Sequence, residues 1–236
     1  MLKNVFQFMG QRIELWTHPE PDHLATVIRR SRGFYEPDLL MKCREIHIPG
    51  TVVIDVGANI GNHTVFFGAI LGADVEAIEP FPANQQILRM NVAANGLDRR
   101  VRVHDKALGE RQGQGQALTG NVDNLGTVRI QPGGGGIAIT TLDQIAADRP
   151  IGLIKIDVEG SEVGVLAGAR RTLRQWLPDI MIEADGTDRF QDTARLLHEF
   201  GYAARGRYAW TPTYLFSATD QAARMRRLLV PVLAMA

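Results

Sequence analysis

Three groups of residues in this chain have the types and spacing that chemistry needs. The first is a glycine-rich turn, Asp55-Val-Gly-Ala-Asn-Ile-Gly-Asn62, which follows the β-branched run Val52-Val-Ile54 and precedes a helical pattern from Thr64. The second is a single acid, Glu79, closing the next apolar run, with Pro80 and Phe81 directly behind it. The third is a set of acids at two later strand ends: Asp157 and Glu159 in Lys155-Ile-Asp-Val-Glu-Gly160, and Glu183 in Ile180-Met-Ile-Glu183. Strand, glycine turn and helix together are how open α/β sheets build a ligand crevice beyond their strand ends. Gly57 and Gly61 suit a backbone that turns tightly and lets a ligand come close.

The spacing within the turn narrows the ligand. A dinucleotide fingerprint reads G-x-G-x-x-G and seats a pyrophosphate on a helix N-terminus. Here Ala58 and Asn59 stand between the outer glycines in a different spacing, and an anion would meet Asp55. No Walker pattern occurs. An acid at this strand tip suits a cationic or hydrogen-bond-donating ligand, and S-adenosylmethionine offers both through its amino acid end. Glu79 supports a nucleoside: an acid about 20 residues beyond the glycine turn accepts hydrogen bonds from ribose hydroxyls in such folds. The plainer alternative is a solvated residue that opens the Pro80-Phe-Pro82 turn.

Asp55-Val-Gly-Ala-Asn-Ile-Gly61, Ile78-Glu-Pro80 and Lys155-Ile-Asp-Val-Glu-Gly-Ser-Glu162, in this order, resemble the FkbM-type family of S-adenosylmethionine-dependent methyltransferases. Gly33-Phe-Tyr-Glu-Pro37 and Thr141-Leu-Asp143 fit the same family. The resemblance implies a Rossmann-like class I methyltransferase fold and, usually, O-methylation of a hydroxyl on a sugar, glycan or other secondary metabolite. Asp55, Gly57, Ala58, Asn59, Gly61, Asn62, Glu79, Pro80, Phe81 and Asp157 then become candidates for holding the cofactor. Tyr35 and Glu36 become candidates for covering its methionine end, or only for packing a cap against the core. Asp105, Lys106 and Ala107 fall where methyltransferases of this fold contact adenine, with Asp105 as the acceptor for the amino group.

For the reaction itself the candidates are Asp157, then Glu159 and Glu183, with His63 a weaker alternative. Alternation along a strand puts Lys155 and Asp157 on one side, so a polar pair points into the crevice. Acids there can take the proton of an attacking hydroxyl, or orient a polyol through its other hydroxyls. Asp157 can be read instead as a cap for a helix over residues 161–176. Glu183 and Asp157 could also ligate a divalent metal, but no His, Asp or Glu spacing is diagnostic and none is expected. Two other classes compete: a nicotinamide-dependent oxidoreductase, and a non-catalytic cofactor-binding protein of a biosynthetic assembly.

The elements that must position these residues form an α/β domain over residues 51–220. It is preceded by an N-terminal cap (1–50) and followed by a helix or tail (221–236). Seven mostly parallel strands are expected, one reversed at the edge, with helices on both faces. Residues 101–108 read as the third strand and the glycine-rich stretch 109–136 as an added hairpin or flap over the site. With 26 basic and 26 acidic residues there is no basic field to gather nucleic acid. Cys43 is the only cysteine, which excludes an intrachain disulfide and fits a reducing, cytoplasmic setting. No targeting segment or stable membrane insertion is expected, since the apolar C-terminal run is short and interrupted by Pro231. The expected partner is a small-molecule or glycan acceptor.

Overall fold

The computed structural model describes residues 1–19, 22–118 and 129–235. The chain opens with a hairpin, β1 (Leu2–Phe8) and β2 (Gln11–Thr17), then α1 (His23–Ser31) and α2 (Pro37–Ile46). An alternating series comes after them: β3 (Val52–Val56), α3 (Asn62–Val65) running into a π-helical turn (Phe66–Ile70), β4 (Val75–Ile78), α4 (Pro82–Ala94) and β5 (Val101–His104). Four short strands come next: β6 (Ala107–Leu108), β7 (Gly113–Leu118), β8 (Arg129–Pro132) and β9 (Ile137–Thr140). The series resumes with α5 (Leu142–Ala146), β10 (Ile151–Ile156), α6 (Glu162–Ala167), α7 (Arg170–Trp176), β11 (Asp179–Glu183) and α8 (Thr187–His198). It closes with β12 (Tyr202–Tyr208), β13 (Thr213–Ala218) and α9 (Gln221–Met235).

Seven strands form the central sheet in the order β12-β13-β11-β10-β3-β4-β5. β11, β10, β3, β4 and β5 run parallel to one another, and β13 is antiparallel to both β11 and β12. The reversed strand therefore lies one place in from the edge, not at the edge as expected. The short connection makes β12 and β13 a hairpin, and it is the second strand of that hairpin that pairs with β11. Alternation divides the sheet between two cores. Val53, Leu153 and Met181 join one, and Ile54, Ile154, Ile156, Ile180 and Ile182 the other. By the same parity Asp55 and Lys155, partners across β3 and β10, emerge on the face of Val53 and Leu153.

The N-terminal cap covers that face. Phe6, Phe34 and Phe66 meet edge to face, with ring centroids 5.2 and 5.4 Å apart, so the hairpin, the loop before α2 and the start of the π-turn share one apolar cluster. The open edge of β2 is satisfied by amide side chains one turn apart at the end of α4 rather than by another strand. Asn91 accepts from Trp16 N at 2.6 Å and donates to Trp16 O at 2.9 Å and Ile60 O at 2.7 Å. Asn95 accepts from Glu14 N at 3.0 Å and donates to Glu14 O at 2.7 Å.

Two local expectations are corrected. The stretch 101–108 is not one strand: the chain leaves the central sheet after His104, and Ala107 and Leu108 pair with β9 in a four-stranded sheet, β6-β9-β7-β8. Asp105 and Lys106 form the exposed link between the two sheets. The helix expected over 161–176 is broken into α6 and α7, where the Gly168 carbonyl accepts from Asp143 N. At the C-terminus α9 is docked by buried Leu228 and by Arg224, whose guanidinium lies 2.6 Å from Asp179. Among the described residues no helix is long and apolar enough to cross a membrane.

Replacing Asn91 by Ala strands one backbone donor and two acceptors at a fully buried position. We expect a loss of about 2–4 kcal/mol in stability, read as a lower denaturant midpoint at unchanged m-value.

Candidate active site

The chemistry is organised by a buried lysine. Lys155 Nζ lies 3.2 Å from Asp157 Oδ2, 3.6 Å from Asp55 Oδ1, and donates to Gly57 O at 3.2 Å. Burial pulls the ammonium's pKa down, but the charges of Asp157 and Asp55 outweigh it and hold the pKa above the ordinary lysine value. The other oxygen of Asp55 accepts from Thr64 Oγ1 at 2.6 Å. Asp55 is fully buried and lines neither of the two cavities that open beyond the strand tips. The acid expected to meet the ligand is thus spent on the protein's own cation and on the start of α3. The reason is register: directly opposite Lys155, it faces the ammonium across the sheet.

A first cavity of about 520 Å³ opens beyond the tips of β3 and β4. Glu79 is buried in its wall and accepts from Asn59 N at 2.8 Å and Phe81 N at 3.0 Å, with Asn84 Nδ2 at 3.4 Å. Burial pushes its pKa up to about 7, against the pull of the Phe81 and Asn59 amides. Pro80, Phe81, Ala107, Leu108, Ile130 and Ile139 supply apolar lining. Ala107, Leu108, Ile130 and Ile139 come from the four-stranded sheet, and Ile130 and Pro132, which also lines the cavity, belong to the glycine-rich segment, which thus walls the site; its residues 119–128 lie outside the described residues. Asp105 and Lys106 are exposed and take no part in this lining, because the chain crosses between sheets there; only Ala107 of that trio reaches the cavity.

Gly57 lies between the two cavities at φ +76°, and a Cβ there would fall 1.8 Å from Asp157 O. No other residue type fits that approach without moving the strand tip. Gly61 lines neither cavity and instead abuts Leu88 of α4.

The second cavity, about 1020 Å³, is bounded by the cap on one side and by β10 and β11 on the other. Tyr35, Glu36, Ala58, Asn62 and His63 line it from the cap and glycine turn. The Asn62 amide accepts from Tyr35 N at 2.9 Å and donates to Tyr35 O at 3.2 Å, which pins the cap to the turn. Glu36 Oε2 lies 3.2 Å from His63 Nε2. Burial, then Glu36, pushes the Tyr35 phenol up to about 12. Asp157, Glu159 and Glu183 line the opposite wall, with carboxylate oxygens within 4.8 Å of one another. Burial first, then the charges of Asp157 and Glu159, push Glu183 up to about 9. Asp157 does not cap α6; its carboxylate turns to Lys155. The three oxygens are close enough to share one divalent cation, an arrangement that spacing along the chain did not reveal.

Gly57, Asn59, Asp157 and Glu159 line both cavities. The two cavities therefore adjoin at the glycine turn and the Asp157 tip. The methyltransferase FkbM domain matches residues 55–204, a span that contains Asp55, Glu79, Lys155, Asp157 and Glu183. This chain belongs to the FkbM methyltransferase family. Among solved structures it is similar to the FkbM methyltransferase of Methylobacillus flagellatus, at 22% identity and a TM-score of 0.51 over 72% of this chain and 44% of that one. The chain thus spans less than half the length of that structure. A putative transferase of Pyrococcus horikoshii gives 15% identity and a TM-score of 0.50 over 91% of this chain and 70% of that one. These two likenesses show the shared fold: a class I methyltransferase architecture. Among curated proteins none matches the sequence.

Asn84 and the apolar residues of the four-stranded sheet, Ala107 apart, were not singled out by the sequence. Nothing in local pattern marks residues that reach the site from another sheet.

The raised Glu183 pKa bears on stability. A carboxyl whose folded pKa exceeds its unfolded value stays protonated in the fold while the unfolded chain ionises. Stability is then lost as pH rises from about 4.5, the ordinary glutamate range, toward the folded value. In Glu183→Gln the thermal midpoint should fall less between pH 5 and pH 8 than in the parent; identical slopes in a melting series would overturn this.

Proposed function

We propose that this FkbM-family methyltransferase moves the methyl group of S-adenosylmethionine onto a hydroxyl of a small polyhydroxylated acceptor, a sugar, glycan or related secondary metabolite. The observation that carries the reading is the meeting of the two cavities at Asp157. In this reading the first cavity takes the nucleoside: Glu79 receives the ribose hydroxyls and the apolar wall receives adenine. Asn59, Asn62, Tyr35 and Glu36 surround the methionine end, and the sulfonium methyl points toward the acids of the second cavity.

The donor carbon is already activated, so the protein must bring oxygen, carbon and sulfur into line and keep water away. Pre-orientation of this kind supplies about 7–11 kcal/mol. The acceptor oxygen attacks the methyl carbon, the carbon–sulfur bond breaks toward S-adenosylhomocysteine, and the hydroxyl proton passes to a carboxylate. Burial and the neighbouring charges of Asp157 and Glu159 make Glu183 hold its proton more tightly than an ordinary glutamate, and Asp157, which lines both cavities and pairs with Lys155, is the carboxylate assigned to take the hydroxyl proton. A positioned base contributes roughly 10²–10⁴-fold. Glu159 and Glu183 receive the neighbouring hydroxyls.

Asp157→Asn should lower kcat by about 10²-fold or more and leave S-adenosylhomocysteine affinity, measured by calorimetry, within a few-fold of the parent. Unchanged turnover would remove Asp157 from the role. Glu79→Ala should weaken the same affinity by about tenfold or more, since it loses charge-assisted hydrogen bonds.

A second reading is favoured by the approach of Asp157, Glu159 and Glu183 to within 4.8 Å of one another. In it the three would hold a divalent cation, which would supply Lewis-acid activation of an acceptor hydroxyl. Methyl transfer abolished by a chelator and restored by magnesium would replace the base mechanism with this one.

A further inference from the structure

At the rim of the second cavity stands Trp210, 95% exposed. The next most exposed large apolar side chain among the described residues, Leu233, reaches 73%. Trp210 lies in the turn that joins β12 to β13, beyond the last pair Tyr208 and Thr213. Thr213 is in turn the register partner of Glu183, so the turn rises at the site end of the sheet.

The backbone of this turn is held in place. Ala184 N donates to Pro212 O at 2.9 Å, and Arg207 Nη2 donates to Trp210 O at 3.4 Å. Ala209 adopts φ +63°, a left-handed conformation unfavourable for a residue with a side chain. β12 slips register between Ala204 and Gly206, and a bulge of this kind bends a strand and re-aims the residues beyond it. The indole itself is left in water, forgoing the burial that makes an aromatic side chain stabilising. The fold thus fixes the turn and gains nothing in packing from the ring that it carries.

We propose that Trp210 is the platform on which the acceptor stacks, and that the acceptor is a pyranoside. This rests on the reading of the second cavity as the acceptor site. The cavity is lined by two chemistries: carboxyl groups that accept hydroxyl hydrogen bonds at Asp157, Glu159 and Glu183, and a flat apolar ring at Trp210. A pyranose ring carries both complements at once, a C–H face for the indole and a hydroxyl edge for the carboxylates. A simple phenol stacks as well but brings a single hydroxyl to three carboxyl groups.

The test uses the full chain, with S-adenosylhomocysteine bound for the fluorescence arm and S-adenosylmethionine supplied for the turnover arm, and the methyl glycosides of glucose, mannose, rhamnose, fucose and N-acetylglucosamine as probes, with 4-methylphenol as the aromatic control. The chain has three tryptophans, Trp16 in the cap hairpin, Trp176 only 7% exposed and Trp210, so a ligand-dependent change in intrinsic fluorescence is assigned to Trp210 by its loss in Trp210→Ala. We expect a saturable fluorescence change with at least one glycoside, absent in Trp210→Ala. We also expect the KM for methylation of that glycoside to rise on the order of tenfold in Trp210→Ala and much less in Trp210→Phe. Calorimetric affinity for S-adenosylhomocysteine should be the same in all three proteins, because Trp210 is outside the first cavity and is not among the residues assigned to the cofactor's methionine end. Equal glycoside KM in parent and Trp210→Ala, or a response to 4-methylphenol and to no glycoside, overturns the platform while leaving the methyltransferase reading intact. Failure of the parent to bind S-adenosylhomocysteine overturns that reading, and the platform with it.

Discussion

Lys155 places a full positive charge inside the protein, between the tips of two strands, and the rest of the site depends on how that charge is satisfied. A lone ammonium at such depth is too costly to keep ionised without close partners. Asp55 supplies one from the neighbouring strand, Asp157 supplies another from just beyond the end of its own strand, and the Gly57 carbonyl completes the set. This ties the glycine turn, β3 and the tip of β10 to one point. It also orients Asp157 at the junction of the two cavities, where both ligands of a transfer reaction would have to meet.

The cap closes the same face by different means. Its aromatic cluster gives area, while the amides of Asn62, Asn91 and Asn95 give position, satisfying backbone groups of the cap segments. A hairpin whose outer edge is bonded to a helix has no free ladder there to pair with another chain. It can therefore lie over the crevice as a wall, with Tyr35 and Glu36 carried to the cavity by a loop that Asn62 holds from below. Across the crevice, the four-stranded sheet does the equivalent for the first cavity with Ile130 and Ile139.

Much of the central architecture was legible along the chain. The runs at Val52, Ile151 and Ile180 announce strands buried on both faces, because parallel strands covered by helices carry apolar residues without alternation to solvent. Gly57 could be marked in advance, since turn geometry depends on the residue itself. What could not be read was the destination of individual side chains. Asp55 looks like a ligand-facing acid until Lys155 is seen opposite it. Asp105 looks like the end of a strand until the chain is seen to leave the sheet at His104. Trp210 carries no local signal at all.

The sequence by itself determined the strand, turn and helix grammar, the acids at strand ends and the family to which the chain belongs. These depend on short-range preferences, on the period of apolar residues and on motifs contiguous in the chain. Only the tertiary structure decided which acids face each other, which one neutralises the buried lysine, where the two cavities meet, and that three carboxylates from the ends of β10 and β11 share a few ångströms. Charge–charge coupling and burial act through space, between residues that strand register brings side by side, and register is a property of the assembled sheet rather than of any one segment.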